Sequence, residues 1–308
     1  MKRHHAMIIF TSGAFFFGLN PLFLNLAYDA GWSLNELNVV QVTIAFIVLW
    51  MIGGITIKKH PQVWKRLSLK TVLFLMIAGS FTGLTSVLYY ASMQYLPASI
   101  SIVLLFQFIW IGVLFEWILY RQKPSGQTMV TVILTLIGVL FAADVFHGGL
   151  SSINWIGVLF GLGAAFSYSI FIIVSGRLAA DIPATIRSPI MITGAALLSY
   201  LIFPPHQAIN ASMFADVSIW VYAGGLALCG LILPPLLFAI ATPHLPASLA
   251  TILGAIELPV SVMVAYIGLG EYIANSRWFG VALILAAIVI GEMRGFLQGV
   301  FRRERYVN

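Results

Sequence analysis

One carboxylate sets the problem. Glu257 is the only ionisable residue near the centre of any long apolar run in the chain. A charge at that depth costs ~2.5–3.5 kcal/mol on insertion scales. Three roles are compatible with its type and place: binding an amino group on a ligand, coupling a proton, or tying two helices together by hydrogen bonds. Other polar residues fall at comparable depth in other runs. They are Asn20 (with Asn25 further out), Thr82 and Ser86, Gln107, and Ser167, Tyr168 and Ser169. Thr82, Ser86, Tyr89, Tyr90 and Met93 are spaced i, i+4, i+7, i+8 and i+11, so they share one helical face. That face either lines a cavity or packs its hydroxyls on a neighbouring helix. Trp110, three residues after Gln107, lies too deep for an interfacial anchor, which leaves ligand contact, gating or core packing. The candidate binding set is Asn20, Thr82, Ser86, Tyr89, Gln107, Trp110, Tyr168 and Glu257, with Glu257 also the candidate coupling residue.

Other chemistries lack their residues. No GxxxxGK[ST] loop is present to cradle phosphates. No Lys or Arg falls deep in an apolar run, which disfavours a phosphate-bearing substrate. His147 near Asp144 is too little for a metal, and the single cysteine, Cys229, can close no intramolecular disulfide. No catalytic set, metal or cofactor is expected.

The elements that must hold these residues follow from composition. Of 308 residues, 60% are hydrophobic and 8% charged, against about 25% charged in a soluble domain. Mean hydropathy is +0.99. Soluble, disordered and disulfide-scaffold classes are excluded. A β-barrel is excluded too, because the apolar runs last ~20 residues without alternating. The expected fold is an all-α integral membrane protein with ten transmembrane helices. The runs cover about residues 6–28, 36–57, 71–94, 98–120, 127–145, 155–176, 184–203, 217–241, 247–269 and 277–297. Turn residues separate them, among them Asp29-Ala30-Gly31, Leu96-Pro97, His147-Gly148-Gly149 and Pro204-Pro205. Lys2-Arg3 before an apolar run resembles a signal peptide, but no small-residue cleavage site follows, so a retained first helix is expected. Pro21, Pro234-Pro235 and Pro259 each interrupt a run and predict kinks or hinges.

Placing the N-terminus in the cytoplasm puts all but one of the 16 Lys and Arg residues on that side, Arg277 being the exception. Both termini are therefore expected to be cytoplasmic. The net charge of +6 reads as these inner loops, not as a nucleic-acid surface. The stretch Lys58 to Lys70, with Trp64, Leu67 and Leu69, reads as a short interfacial helix, and Arg302-Arg303-Glu304-Arg305 as a basic tail at the headgroups.

Leu96-Pro97-Ala98-Ser99 recurs 149 residues later as Leu245-Pro246-Ala247-Ser248. Each copy opens a long apolar run, the fourth and the ninth. Each half thus holds five runs, and an odd number forces the halves into opposite orientation. The expected division is residues 1–146, residues 150–299 and a tail at 300–308. Inverted repeats with polar groups meeting near the midplane are the architecture of secondary transporters. The competing reading is an integral membrane enzyme acting on lipid-linked substrates. It would need acid–base or metal groups near one interface, whereas the candidate group here, Glu257, falls at the midplane.

Several motifs in order resemble the drug/metabolite transporter superfamily, in its ten-helix form with two EamA domains. They are Gly18-Leu19-Asn20-Pro21, the two Leu-Pro-Ala-Ser turns, Ala164-Ala165-Phe166-Ser167-Tyr168-Ser169, and Glu257-Leu258-Pro259-Val260 followed by Leu269-Gly270-Glu271. The resemblance implies movement of small metabolites, amino acids or related amines among them, without ATP hydrolysis, with export from a bacterial-type inner membrane expected. The implied partners are a small-molecule substrate, the bilayer and protons, and the implied state a monomer or weak dimer. The chain departs from the pattern in having Gln41 where the second helix often opens with Arg, and Tyr168 where the sixth often carries Trp. The first helix has no Glu, so the proton mechanism of the small multidrug members does not transfer. The topology is testable directly: cysteines placed at positions 30 and 149 are expected to react with impermeant maleimide only from outside the cell.

Overall fold

Inside a bilayer each backbone N–H and C=O must find its partner within the protein, which leaves long apolar segments the α-helix. The computed structural model describes residues 1–65, 67–96, 98–121, 123–145, 154–208 and 216–304, and no strand occurs among them. The helices are α1 (Arg3–Phe17), α2 (Asn20–Asp29), α3 (Leu34–Lys59), α4 (Pro61–Lys65), α5 (Leu69–Tyr95), α6 (Ala98–Leu105), α7 (Phe108–Tyr120) and α8 (Gly126–Ala142). There follow α9 (Trp155–Arg177), α10 (Ala184–Ile202), α11 (Pro205–Ala208), α12 (Val217–Leu226), α13 (Leu233–Ala241), α14 (Ala247–Gly254), α15 (Glu257–Gly268) and α16 (Asn275–Glu304). A π-helical stretch, Ala227–Ile232, joins α12 to α13.

Eight segments among the described residues are long and apolar enough to cross a membrane. They are Arg3–Asp29, Leu34–Lys59, Leu69–Tyr95, Ile100–Leu119, Trp155–Arg177, Ala184–Ile202, Val217–His244 and Ala247–Gly268. Two shorter apolar helices, Gly126–Ala142 and Asn275–Gly291, fall where the fifth and tenth runs are expected. The first of these has 17 residues, the lower edge of what spans ~30 Å of hydrocarbon. Arg66, Pro97, the turn His147-Gly148-Gly149 and Arg305 lie outside the described residues.

Several helix starts carry side-chain caps. Ser33 and Glu36 form a reciprocal capping box at α3, and Ser68, Ser125, Asn154 and Asp216 cap α5, α8, α9 and α12. The Ser218 amide that donates to Asp216 holds that carboxyl below its usual range.

The outward faces are apolar. Ile47, Met51 and Ile55 form one stripe of α3 and are each more than half exposed. So much exposed hydrocarbon needs lipid, not water, around it. With lipid outside, helices are held by close backbone approach and interhelical hydrogen bonds, not by further burial of hydrocarbon. The α3–α10 seam has three such bonds: Asn38 Nδ2 to Ser199 Oγ at 2.5 Å, the hydroxyls of Thr43 and Tyr200 at 2.7 Å, and Trp50 Nε1 to Thr193 Oγ1 at 3.0 Å. The α5–α10 crossing uses glycines: a Cβ on Gly79 would strike the Met191 carbonyl, and one on Gly194 the Met76 carbonyl. At the α8–α16 crossing a Cβ on Gly280 would lie 2.6 Å from the Gly138 carbonyl. Phe10 of α1 stacks on Phe238 of α13 with centroids 4.3 Å apart.

Arg187, counted above with the cations of the cytoplasmic side, lies in the first turn of α10 and is 2% exposed. Its Nη1 donates to the carbonyls of Ser175, Gly176 and Leu178 (3.2, 2.8 and 3.2 Å), and its Nη2 to Ala239 (2.7 Å). It thereby serves carbonyls at the end of α9, which have no intrahelical N–H, and ties them to α13. Both terminal nitrogens donate to backbone carbonyls, while the buried Nε has no hydrogen-bond partner.

At the glycine crossing the obstructing atoms are backbone and cannot swing aside. Gly79→Ala and Gly194→Ala are expected to cost ~1–3 kcal/mol, read as a lower melting temperature in detergent. Gly54→Ala, whose Cβ would meet nothing within 4 Å, is expected to leave it unchanged or raise it.

Candidate functional site

Three of the apolar segments are broken part-way along, and the breaks share one construction. At Gly18-Leu19, at Phe106-Gln107 and at Ala255-Ile256 the chain stays right-handed, but ψ is only −13° and −15°, −14° at Gln107, and −14° and −21°. Those values are too shallow for the α ladder. Each break is closed by an i→i−3 bond: Leu19 N to Phe16 O at 3.0 Å, Gln107 N to Leu104 O at 3.1 Å and Ile256 N to Leu253 O at 3.2 Å. Gln107 stands eleven residues after Leu96, and Ile256 eleven after Leu245. Pro21 and Pro259 fall in the first turn after their breaks, where their missing N–H costs least.

The breaks meet at one place. Gly18 lies against the restart of α15: a Cβ there would be 2.7 Å from both the Glu257 carbonyl and Val260 Cβ. Ser261 Oγ donates to the Gly18 carbonyl (3.2 Å) and to the Glu257 carbonyl (2.8 Å). Glu257 is the first residue of α15, where the positive helix end favours a carboxylate. Tyr168, on the unbroken α9, donates its phenolic hydrogen to Glu257 Oε1. Both side chains are buried, Tyr168 at 3% and Glu257 at 6% exposure. Aromatic rings from three helices close around Tyr168: Phe108 edge-on at 4.8 Å, Phe17 tilted at 5.9 Å and Phe171 stacked at 6.3 Å. Phe17 and Phe108 flank two of the breaks.

The other expected residues divide. Asn20 opens α2 just past the first break, with its amide against Gly230 of the π-helical stretch and its Oδ1 without a hydrogen-bond partner. Thr82 lines a small cavity of about 20 Å³ together with Phe171, Ser188, Leu231 and Pro235. The hydroxyls of Thr82 and Ser188 are both buried and unpartnered, and the space suffices for one water. Ser86 Oγ reaches the Thr82 carbonyl at 3.4 Å, and Tyr89 packs on Tyr90 at 5.9 Å. Gln107 turns onto its own helix, donating to the Val103 carbonyl (2.9 Å) and accepting from Trp110 Nε1 (2.8 Å). Trp110 is 40% exposed on a stripe with Leu114, Trp117 and Ile118, away from the Tyr168–Glu257 pair. Met93, on the expected α5 face, is 39% exposed.

Ser188, Ser261, Phe17 and Phe108 are the residues that sequence reasoning missed. The two serines look like any helical serine, and the two phenylalanines like any apolar residue of a span. Only the spacing of the breaks from the Leu-Pro-Ala-Ser turns would have found Phe108. Among the described residues no three His, Cys, Asp or Glu side chains are grouped to hold a metal.

A carboxylate with one oxygen held by a phenol, buried among aromatic rings between interrupted helices, is a hydrogen-bond acceptor that can exchange its donor. If the pair acts as a unit, Tyr168→Phe and Glu257→Gln will be non-additive. The double variant is expected to lose less thermal stability in detergent than the two single losses combined, with a coupling of ~0.5–3 kcal/mol.

Comparison with known proteins agrees with this architecture. The EamA-like transporter family matches residues 5–143 and 155–291. An uncharacterized transporter of Synechocystis sp. is 26% identical over 235 residues, covering 75% of this chain and 67% of that one. One of Archaeoglobus fulgidus is 26% identical over 217 residues, covering 68% and 73%. A solved crystal structure shares the fold with a TM-score of 0.77 at 16% identity, covering 95% of this chain and 98% of the other.

Proposed function

From the premise that the chain belongs to the EamA-like transporter family and is a multi-pass membrane transporter, we propose a secondary transporter of small metabolites, amino acids or related amines, working by alternating access. The observation that carries this reading is the convergence of three mid-segment helix breaks on Tyr168 and Glu257. Discontinuous helices at the midplane are how secondary transporters present backbone and side-chain groups to a solute. The matched breaks after the two Leu-Pro-Ala-Ser turns support ten spans in two inverted halves, 1–146 and 150–299. The distribution of basic residues supports cytoplasmic termini in a bacterial-type inner membrane, with the tail 300–308 on the same side.

Glu257 carries the proposed coupling. In the closed arrangement its Oε1 accepts from Tyr168. A ligand ammonium or a proton supplies the same hydrogen, and in doing so releases the tyrosine. The exchange changes what holds α15 to α9, and it occurs where α1/α2 and α14/α15 are already interrupted. Asn20, Thr82, Ser86 and Tyr89 are the remaining proposed binding groups. Gln107 and Trp110, bonded to each other, are proposed to shape the wall.

Purified protein in proteoliposomes, screened over amino acids and amines with and without a pH gradient, is expected to show gradient-driven movement of at least one. Glu257→Gln keeps shape and hydrogen bonding but removes the titrating carboxylate. It is expected to abolish that movement while leaving the folded protein abundant. Wild-type transport by this variant, with unchanged pH dependence, would remove Glu257 from both binding and coupling.

A further inference from the structure

The second Leu-Pro-Ala-Ser turn starts α14 without a cap of its own, because Pro246 supplies no side-chain acceptor for the first amides of the helix. The acceptor comes from the other half of the chain. Glu116, near the end of α7, takes the Ser248 N–H at 2.6 Å, and its carboxylate stands at the positive end of α14. Deeper in, the same two helices touch closely. Thr251 Oγ1 donates to the Ile109 carbonyl at 3.3 Å, and a Cβ on Gly112 would lie 2.2 Å from Thr251 Cγ2. To its own half the turn is tied by Arg177, whose Nη2 donates to the Leu245 carbonyl at 3.1 Å.

The opposite end of the molecule lacks this contact. The two turns, and the breaks that follow each by eleven residues, put the halves in register at an offset of 149. By that register Glu116 corresponds to Ala265 of α15, Gly112 to Ser261 and Thr251 to Ile102 of α6. Ala265 has no side-chain acceptor to offer, and Ser261 is turned to the Gly18 and Glu257 carbonyls. Among the described residues α6 does not pack against α15 as α7 does against α14. The seam between the halves is therefore latched at one end only. Two cavities of about 180 and 150 Å³ border the latched end and share Ser125, Thr128 and Ser248, so part of what its separation would wet is already polar.

We propose that Glu116 is a gate-positioning residue: its bond to the Ser248 amide holds shut the end of the protein where α8 and α14 begin, and must break for α14 to leave α7 and open that end. The proposal rests on the alternating-access reading above. Glu116 acts through α14 and touches no substrate. From the latch, α14 runs to the Ala255-Ile256 break and so to Glu257, which links the state of the gate to the Tyr168–Glu257 bond. With no counterpart bond at the other end, release of this one latch opens one side and closes the other.

Spin-label distances in full-length, detergent-solubilised protein read both ends, in a Cys229→Ala background. One pair, Leu119→Cys with His244→Cys, flanks the latch; the other, Tyr95→Cys with Ile267→Cys, lies at the opposite end, and all four side chains are exposed. Glu116→Ala is expected to lengthen the first distance and shorten the second, moving each population ratio by about tenfold, as loss of a hydrogen bond to a charged group allows. Glu116→Gln keeps an acceptor oxygen and is expected to move it less. Lengthening of the first distance alone would make Glu116 a local cap and overturn the proposal, as would no change at either end or equal shifts for the two variants. A tether decides independently in protein that keeps Glu116, should Glu116→Ala not fold. Lys123→Cys and Ser248→Cys line one cavity, and Ser248→Cys retains the backbone amide. Bridging them with a cleavable bis-thiosulfonate is expected to stop uptake of a radiolabelled mixture of amino acids and amines into proteoliposomes, and reduction to restore it. Uptake unaffected by the bridge would overturn the gate and leave the transport reading standing. Reciprocal distance changes in a protein that moves none of the mixture would support the gate and count against that substrate class.

Discussion

A helix cut inside a membrane leaves polar backbone with no water to satisfy it, and the centre of this protein is organised by that constraint. Each of the three breaks keeps a right-handed, i→i−3 closure, so few groups are released. Ser261 takes up two carbonyls at the join of the first and third breaks. The Glu257 carboxylate at the same join is met by the Tyr168 phenol. Phenylalanines from α7, α9 and the end of α1 pack around the phenol. With a low local dielectric, that one bond is both stronger and costlier to lose than it would be at a surface.

Around the centre the helices are held by devices that do not depend on excluding water. Glycines bring α5 to α10 and α8 to α16 at backbone distance, and hydroxyl, amide and indole groups lace α3 to α10. Arg187 acts in the same manner at a helix end, where one guanidinium serves four carbonyls. These contacts are specific in position, so they fix which faces look inward. They leave the outward stripes, such as Ile47, Met51 and Ile55, to the lipid.

Much of this was legible in the sequence, for physical reasons. A run of ~20 apolar residues has few alternatives to a membrane-spanning helix, and turn residues marked most of the joints. Glu257 was conspicuous because an ionisable group at that depth demands a partner, and Tyr168 was among the polar residues at matching depth. What was not legible is where side chains point. Charge counting sees Arg187 as a cation near a helix end and cannot tell that it folds inward onto carbonyls. Trp110 and Gln107 have the right depth, but helical phase turns Trp110 outward and ties Gln107 to its own helix. The breaks themselves shift ψ by tens of degrees over one or two residues, and only Gly18, Pro21 and Pro259 hinted at them.

The π-helical stretch between α12 and α13 has a consequence of its own. A π turn carries one residue more than an α turn, and one residue is about 100° around a helix axis. Ala227–Ile232 is thus a phase shifter within a single long segment. Upstream, Ile219, Ala223 and Leu226 face the cluster formed with α2 and α3; downstream, Phe238 faces Phe10 of α1. A strictly α-helical segment of the same length could address one of these neighbours but would present the wrong side to the other. Deleting one residue here would act less like a local defect than like a quarter-turn rotation of everything between Leu233 and Ala241.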